Sequence, residues 1–270
     1  TVKTGYAAFA NGPLIGSNEA EEGWTTWSYS LERPIVNYLV AIAAGEYALY
    51  KEEGAVPLEY VTSRAVDESG ARHTMGFAKP QVVYFNELLG TDYPYPVYRQ
   101  LLVSRFLYGG MENAGMTILA DTMLVRSERD RHDRAEGVVA HELAHQWFGD
   151  LLTCYGWREL WLNEGFATFY TGRWLEHTRG EQNYAGKVEG WMNAALKAKA
   201  PMAARSWSKV DGRDNDAVYV RGASVLHMLR VHLGDDVFDA GIRKYVAENA
   251  DRLVESDDLR RTLEDVSGTH

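Results

Sequence analysis

Cysteine is almost absent: Cys154 is the only one in 270 residues. No internal disulfide can form, which excludes a disulfide-held small secreted fold and permits a reducing compartment. A cytoplasmic location is the expectation. Long apolar runs are missing too. The longest, PIVNYLVAIAAG at 34–45, falls short of the roughly 20 residues that cross a bilayer, so no membrane span is expected. No Asn-x-Ser/Thr sequon occurs, which argues against a heavily glycosylated surface. The opening TVKTGYAAFANGPLIG reads as strand and turn, not as a signal peptide. Positive charge is also short: 28 Lys and Arg stand against 38 Asp and Glu, a formal net charge of −10. That excludes the basic footprint of a nucleic-acid binder and suits a cationic ligand, such as the protonated amine of a peptide.

What is present is the composition of a soluble globular protein, 46% hydrophobic and 24% charged. The length fits one large domain, or one domain with part of another. The first 45 or so residues read as β: GYAAFANGPL runs into an Asn-Gly-Pro turn, WTTWSYSL alternates aromatic with polar, and IVNYLVAIAA forms a further strand. Three strands are too few for a stable sheet of their own. KEEGAVP at 51–57 reads as an exposed connection. Beyond it, PQVVYFNELLG suits a helix opened by Pro80 and closed by Gly90. YRQLLVSRFLY and GMTILADTMLV read as strands on either side of the break GGMEN at 109–113. SERDRHDR at 127–134 reads as a solvated charge run. Three further helices are expected over RELWLNEGFATFYTGRWLEH, YVRGASVLHMLRVHLG and SDDLRRTLEDV, the last with Ser256 as N-cap.

The chemistry begins at VVAHELAHQWFGD, residues 138–150. Asp133 followed by Glu136 makes a capping-box-like start to a helix. On that helix His141 and His145 fall one turn apart on a single face, so both can offer ring nitrogens to one tetrahedral ion. Glu142, rotated about 100° from His141, can reach a metal-bound water without ligating the metal. Two histidines at helical spacing are more often packing or surface residues than ligands, so a third ligand has to decide. A third histidine in the pattern His-x-x-Gly-x-x-His fails here, because Phe148 and Leu151 stand where that Gly and His would be. Glu164, with 18 residues between it and His145, lies in the aromatic-rich helix WLNEGFATFY, where a carboxylate is costly to bury unless paired or metal-bound. His141, His145 and Glu164 are the expected ligands of one zinc ion.

These residues, with GGMEN upstream and YVRGASVLHML downstream, resemble the aminopeptidase N (alanyl aminopeptidase) family of gluzincin zinc peptidases. The likeness extends through ANGPL, YPYP, LWLNEGFA and LGDDVF. It implies an α+β fold, with a thermolysin-like catalytic domain over 46–270 preceded by the last strands of an N-terminal β domain over 1–45. It also implies removal of N-terminal residues from peptides with a free N-terminus. By resemblance Glu142 is the general base, Tyr219 steadies the tetrahedral intermediate, and Glu112 anchors the substrate's α-amine. Gly109, Gly110 and Met111 lie along the substrate backbone, and Tyr108 lines the pocket for the first side chain. Two departures stand out: Gly110 occupies a position that is often Ala, and Glu159 one that is commonly Asp, where a carboxylate supports the ligands.

Other conspicuous residues have plainer readings. Trp147, Trp157 and Trp161 are expected in the core, Cys154 as a small buried hydrophobe, Asn113 as a turn former, and His227 and His232 on the surface. The alternatives to an aminopeptidase are a gluzincin endopeptidase, which would not need Glu112, and an inactive fragment or scaffold of the same fold. Preferred residue and oligomeric state are not legible.

Overall fold

A computed structural model of the chain describes residues 1–125, 133–203 and 215–269; most of the charge run SERDRHDR lies outside them. Helix and strand are mixed throughout, as an α+β fold requires. The chain forms two compact units, Thr1–Val83 with Tyr93–Leu143 and Tyr84–Asp92 with Ala144–His270. Among the described residues, no helix is long and apolar enough to cross a membrane.

The first unit begins with short strands β1 (Val2–Lys3), β2 (Ala7–Ala10), β3 (Leu14–Glu21), β4 (Trp24–Tyr29) and β5 (Ile42–Gly45). They make two small antiparallel sheets, β1-β4-β3 and β2-β5. The expected strand over 35–44 is interrupted, since Asn37–Leu39 is a 3-10 turn and the strand starts only at Ile42. Asn11 supplies the reason. Its amide donates to the carbonyls of Leu39 at 3.0 Å and Ala114 at 2.8 Å, and accepts from the Ala41 N–H at 2.8 Å. A buried side chain with three matched partners holds the turn more firmly than local strand propensity opposes it.

Next come β6 (Tyr47–Glu52), β7 (Leu58–Ser63), helices α1 (Glu68–Met75) and α2 (Ala78–Leu89), then β8 (Tyr98–Val103), β9 (Gly110–Met111) and β10 (Met116–Ala120). KEEGAVP, expected as an exposed connection, overlaps the end of β6 and forms the turn of the β6–β7 hairpin. The five-stranded sheet runs β6-β7-β8-β10-β9, with β7/β8 and β8/β10 parallel and both edges antiparallel. Its central strands are buried, with Tyr60, Val61, Leu101, Met116 and Leu119 inside. Near-continuous apolar strands of this kind belong to parallel sheets covered on both faces. The buried Arg99 of β8 ties β2 to this sheet. It pairs with Glu59 and donates to the carbonyls of Ala10 at 2.6 Å and Gly12 at 3.2 Å. Such pairing is what makes a buried guanidinium tolerable. Helix α3 (Asp133–His145) follows the sheet.

The second unit holds the end of α3, then β11 (Leu152–Cys154) and helices α4 (Trp161–Arg179), α5 (Glu181–Ala195), α6 (Asn215–Val218), α7 (Val220–Leu233) and α8 (Asp235–Asn249). Strand β12 (Arg252–Val254) pairs in parallel with β11, and α9 (Ser256–Ser267) closes the unit. Its core is a stack of rings: Phe148 lies 4.4 Å from Phe166 and 4.9 Å from Tyr170, and Phe166 is 6.0 Å from Tyr245. Trp147 and Trp161 are buried as expected and so is Cys154, but Trp157 is only half-buried. Ser256 is not the cap of α9. It is the first helical residue after Glu255, and its hydroxyl is turned to Glu159 instead.

Candidate metal centre and its surroundings

Helix α3 presents the His-Glu-x-x-His segment on its last turns. His145 is almost wholly buried, and its Nδ1 lies 2.9 Å from the carbonyl oxygen of Phe148. A carbonyl can only accept, so Nδ1 carries the proton and Nε2 is left with its lone pair. That Nε2 faces Oε2 of Glu164 on the first turn of α4, at 3.2 Å. Two lone pairs so close repel unless a proton or a cation stands between them.

His141, one turn before His145, completes the set: one ligand atom from each of His141, His145 and Glu164 lies within 4.8 Å of the others. Ligand atoms bonded to zinc at about 2.0–2.1 Å and set at tetrahedral corners stand about 3.3 Å apart, so two imidazole nitrogens and a carboxylate oxygen at these separations suit zinc. Glu164 is 9% exposed, which removes the competing water that would otherwise satisfy its charge.

Glu142 is buried at 5% exposure and Glu112 at 7%, and a carboxylate oxygen of one lies within 4.8 Å of one of the other. Glu112 directly follows β9, the edge strand whose Gly110 pairs with Leu119. The backbone of Gly110 runs against Glu142: a Cβ built there would stand 2.5 Å from Cδ and 2.7 Å from Cγ of Glu142. Asn113, expected as a turn former, is buried and reaches the Leu39 carbonyl at 3.4 Å. Tyr108 is 65% exposed and meets Phe106 edge to face at 6.1 Å. In the second unit, Tyr219 is half-buried at the N-cap of α7, and its carbonyl accepts the Ala223 N–H at 3.0 Å.

Two supports were invisible in the sequence. The Phe148 carbonyl that sets the His145 tautomer is a backbone group, so no residue pattern announces it. Asn163, beside Glu164, is buried and accepts the Cys154 N–H at 3.2 Å, which fastens the start of α4 to β11. Glu159 has a different task from the ligand support expected of it: it accepts from the Ser256 N–H at 3.3 Å and from the Ser256 hydroxyl, at the start of α9. His227 is half-buried rather than a surface residue, with Nδ1 3.0 Å from the Tyr184 hydroxyl, whereas His232 is exposed.

The profile of the Peptidase family M1 domain matches residues 73–270, a span that includes every residue of this cluster. The chain belongs to peptidase family M1. Across 97% of its length it is 31% identical to aminopeptidase M1-A of Oryza sativa subsp. japonica, and across 93% it is 29% identical to aminopeptidase N of Streptomyces lividans. A leucyl aminopeptidase of Saccharolobus solfataricus is 27% identical over 99% of the chain. The chain spans about a third of the length of these relatives, 31%, 33% and 35% respectively.

Proposed function

We propose that this chain carries the catalytic centre of a zinc-dependent aminopeptidase that hydrolyses the first peptide bond of substrates with a free N-terminus. The observation that carries the reading is the convergence of His141, His145 and Glu164 within 4.8 Å, with buried Glu142 on the same helix. In this reading residues 46–270 form a thermolysin-like domain and residues 1–45 the closing strands of a β domain. The single buried cysteine suits a cytoplasmic, reducing setting.

His141, His145 and Glu164 would hold the zinc, which when bound supplies a Lewis acid and lowers the pKa of water toward neutrality. Glu142 takes the proton of the attacking water and returns it to the leaving amine. The Tyr219 hydroxyl donates to the carbonyl oxygen as it gains charge. Glu112 receives the substrate's ammonium, and a charge-assisted contact there favours a free amine over a blocked one. Gly109, Gly110 and Met111 guide the substrate backbone. Because β9 ends the sheet order, an extended peptide can add beside it as a further strand. Tyr108 offers an aromatic wall to the first side chain.

Zinc per chain and hydrolysis of aminoacyl-p-nitroanilides, measured on the same preparation, test the reading. It expects about one zinc per chain, with turnover lost on chelation and restored by zinc. Turnover unaffected by removing the metal would refute it.

A further inference from the structure

Helices α4 and α7 meet at two glycines. A Cβ on Gly165 would stand 2.8 Å from Cα of Gly222, 3.1 Å from its carbonyl carbon and 3.3 Å from the carbonyl oxygen of Val218. From the other side, a Cβ on Gly222 would stand 2.8 Å from Cα of Gly165. Backbone meets backbone, so no rotamer change can make room for a methyl group. Glycine is a poor helix former, because fixing its backbone costs more entropy than fixing that of alanine. Two glycines in the first turns of facing helices therefore work against each helix and are repaid only by the closeness they permit.

The place of the contact gives it meaning. Gly165 directly follows Glu164, and Gly222 stands one turn after Tyr219, which itself directly follows Val218, the residue whose carbonyl oxygen crowds Gly165. Both helices are anchored around this point. Trp161 on the first turn of α4 donates its indole N–H to Ser256 at 2.9 Å, and Tyr219 opens the hydrogen-bond ladder of α7. Tyr219 is the N-cap residue of α7, so a shift of that helix at Gly222 carries Tyr219 with it relative to α4 and Glu164.

We propose that Gly165 and Gly222 are positioning residues for catalysis, setting through their backbone contact how far Tyr219 stands from the metal ligand Glu164. This rests on the reading of Tyr219 as the hydroxyl that steadies the developing oxyanion. A methyl group at either glycine separates the helices by several tenths of an ångström or more, and displacements approaching 1 Å cost about a hundredfold in rate.

The test uses Gly222→Ala, Tyr219→Phe and the double variant in the zinc-loaded protein. Gly222→Ala should keep its zinc, lower kcat by about tenfold or more and leave KM nearly unchanged. Its affinity for a phosphinic dipeptide, which mimics the tetrahedral state, should fall in step with kcat, while its affinity for a free amino acid should not. Added to Tyr219→Phe, it should cost little more, because the group it positions is already gone. The positioning role is overturned if Gly222→Ala leaves kcat intact, loses zinc, or multiplies in full with Tyr219→Phe. If Tyr219→Phe alone leaves kcat unchanged, the assignment of Tyr219 fails, and the positioning role with it. Should Gly222→Ala not fold, Gly165→Ala introduces the methyl from the α4 side and is judged by the same readouts. If neither folds, the contact serves the fold alone and the proposal is overturned.

Discussion

Glu142 and Gly110 share one space: the carboxylate of Glu142 fills the place where a Cβ on Gly110 would be, with its Cδ 2.5 Å and its Cγ 2.7 Å from that point. The absence of a side chain at Gly110 is therefore part of how Glu142 is seated. Gly110→Ala should force either Glu142 or the strand to move. The expected outcome is a fall in kcat of about two- to tenfold with zinc content unchanged, since the Glu142 side chain can yield and Ala is common at this position in the family that the chain resembles. Steady-state kinetics beside metal analysis would check it, and an unchanged kcat would mean that Glu142 finds an equivalent seat.

Ligands and base can be separated by substitution. His145→Ala and Glu164→Ala should lose both zinc and turnover, since each removes a donor from a three-residue set. Glu142→Gln should keep the metal and lose turnover, because on the proposed roles it removes the proton acceptor and spares the donors. Loss of zinc in Glu142→Gln as complete as in His145→Ala would contradict the role given to Glu142.

In the proposed mechanism Tyr219→Phe removes a hydroxyl needed chiefly as negative charge develops. A fall in kcat of roughly a hundredfold with little change in KM is expected. A loss carried wholly by KM would assign Tyr219 to substrate binding.

Away from the centre, Arg173 of α4 is buried and holds Asp239 through two hydrogen bonds of 2.8 and 3.0 Å, with Glu176 at 3.3 Å. Asp239→Ala strips the better partner from a buried cation. A loss of about 2–3 kcal/mol follows, below the usual figure for a fully broken buried pair because Glu176 remains. Calorimetry should record a Tm lower by roughly 5–10 °C.

Burial, reinforced by the neighbouring Arg230, holds the pKa of His227 below its ordinary value, while Glu176 opposes the shift. A depressed histidine favours the folded state fully above its unfolded pKa of about 6.5, and that contribution is lost as pH falls through the folded value. In His227→Gln, Tm should decline less steeply with falling pH below about 6.5 than in the unsubstituted protein. Parallel declines would show that His227 does not titrate with unfolding.

The centre was legible because its chemistry is local. His141, Glu142 and His145 share one helical turn, and Glu164 is a carboxylate in a run of buried aromatics. The supports were not legible, because they depend on tertiary geometry: the Phe148 carbonyl, the Asn11 peg that breaks the expected strand over 35–44, and the glycine contact of α4 with α7. Helices α1, α5 and α8 also escaped notice. The first is a short ESGARHTM, the second carries Gly186 and Gly190 inside it, and the third follows Gly234 with no connecting loop. Glu159 shows the limit of resemblance, since its longer side chain reaches Ser256 at the start of α9.

The most direct test of an aminopeptidase centre is the ratio of kcat/KM for a free-amine substrate to that for its acetylated counterpart, measured with and without Glu112→Ala. A charge-assisted contact worth roughly 1.5–3 kcal/mol favours the free amine by about tenfold to a hundredfold. A ratio of at least that size is expected in the unsubstituted protein, falling close to unity in Glu112→Ala while zinc is retained. Equal cleavage of free and acetylated substrates by the unsubstituted protein would contradict it and identify an endopeptidase instead.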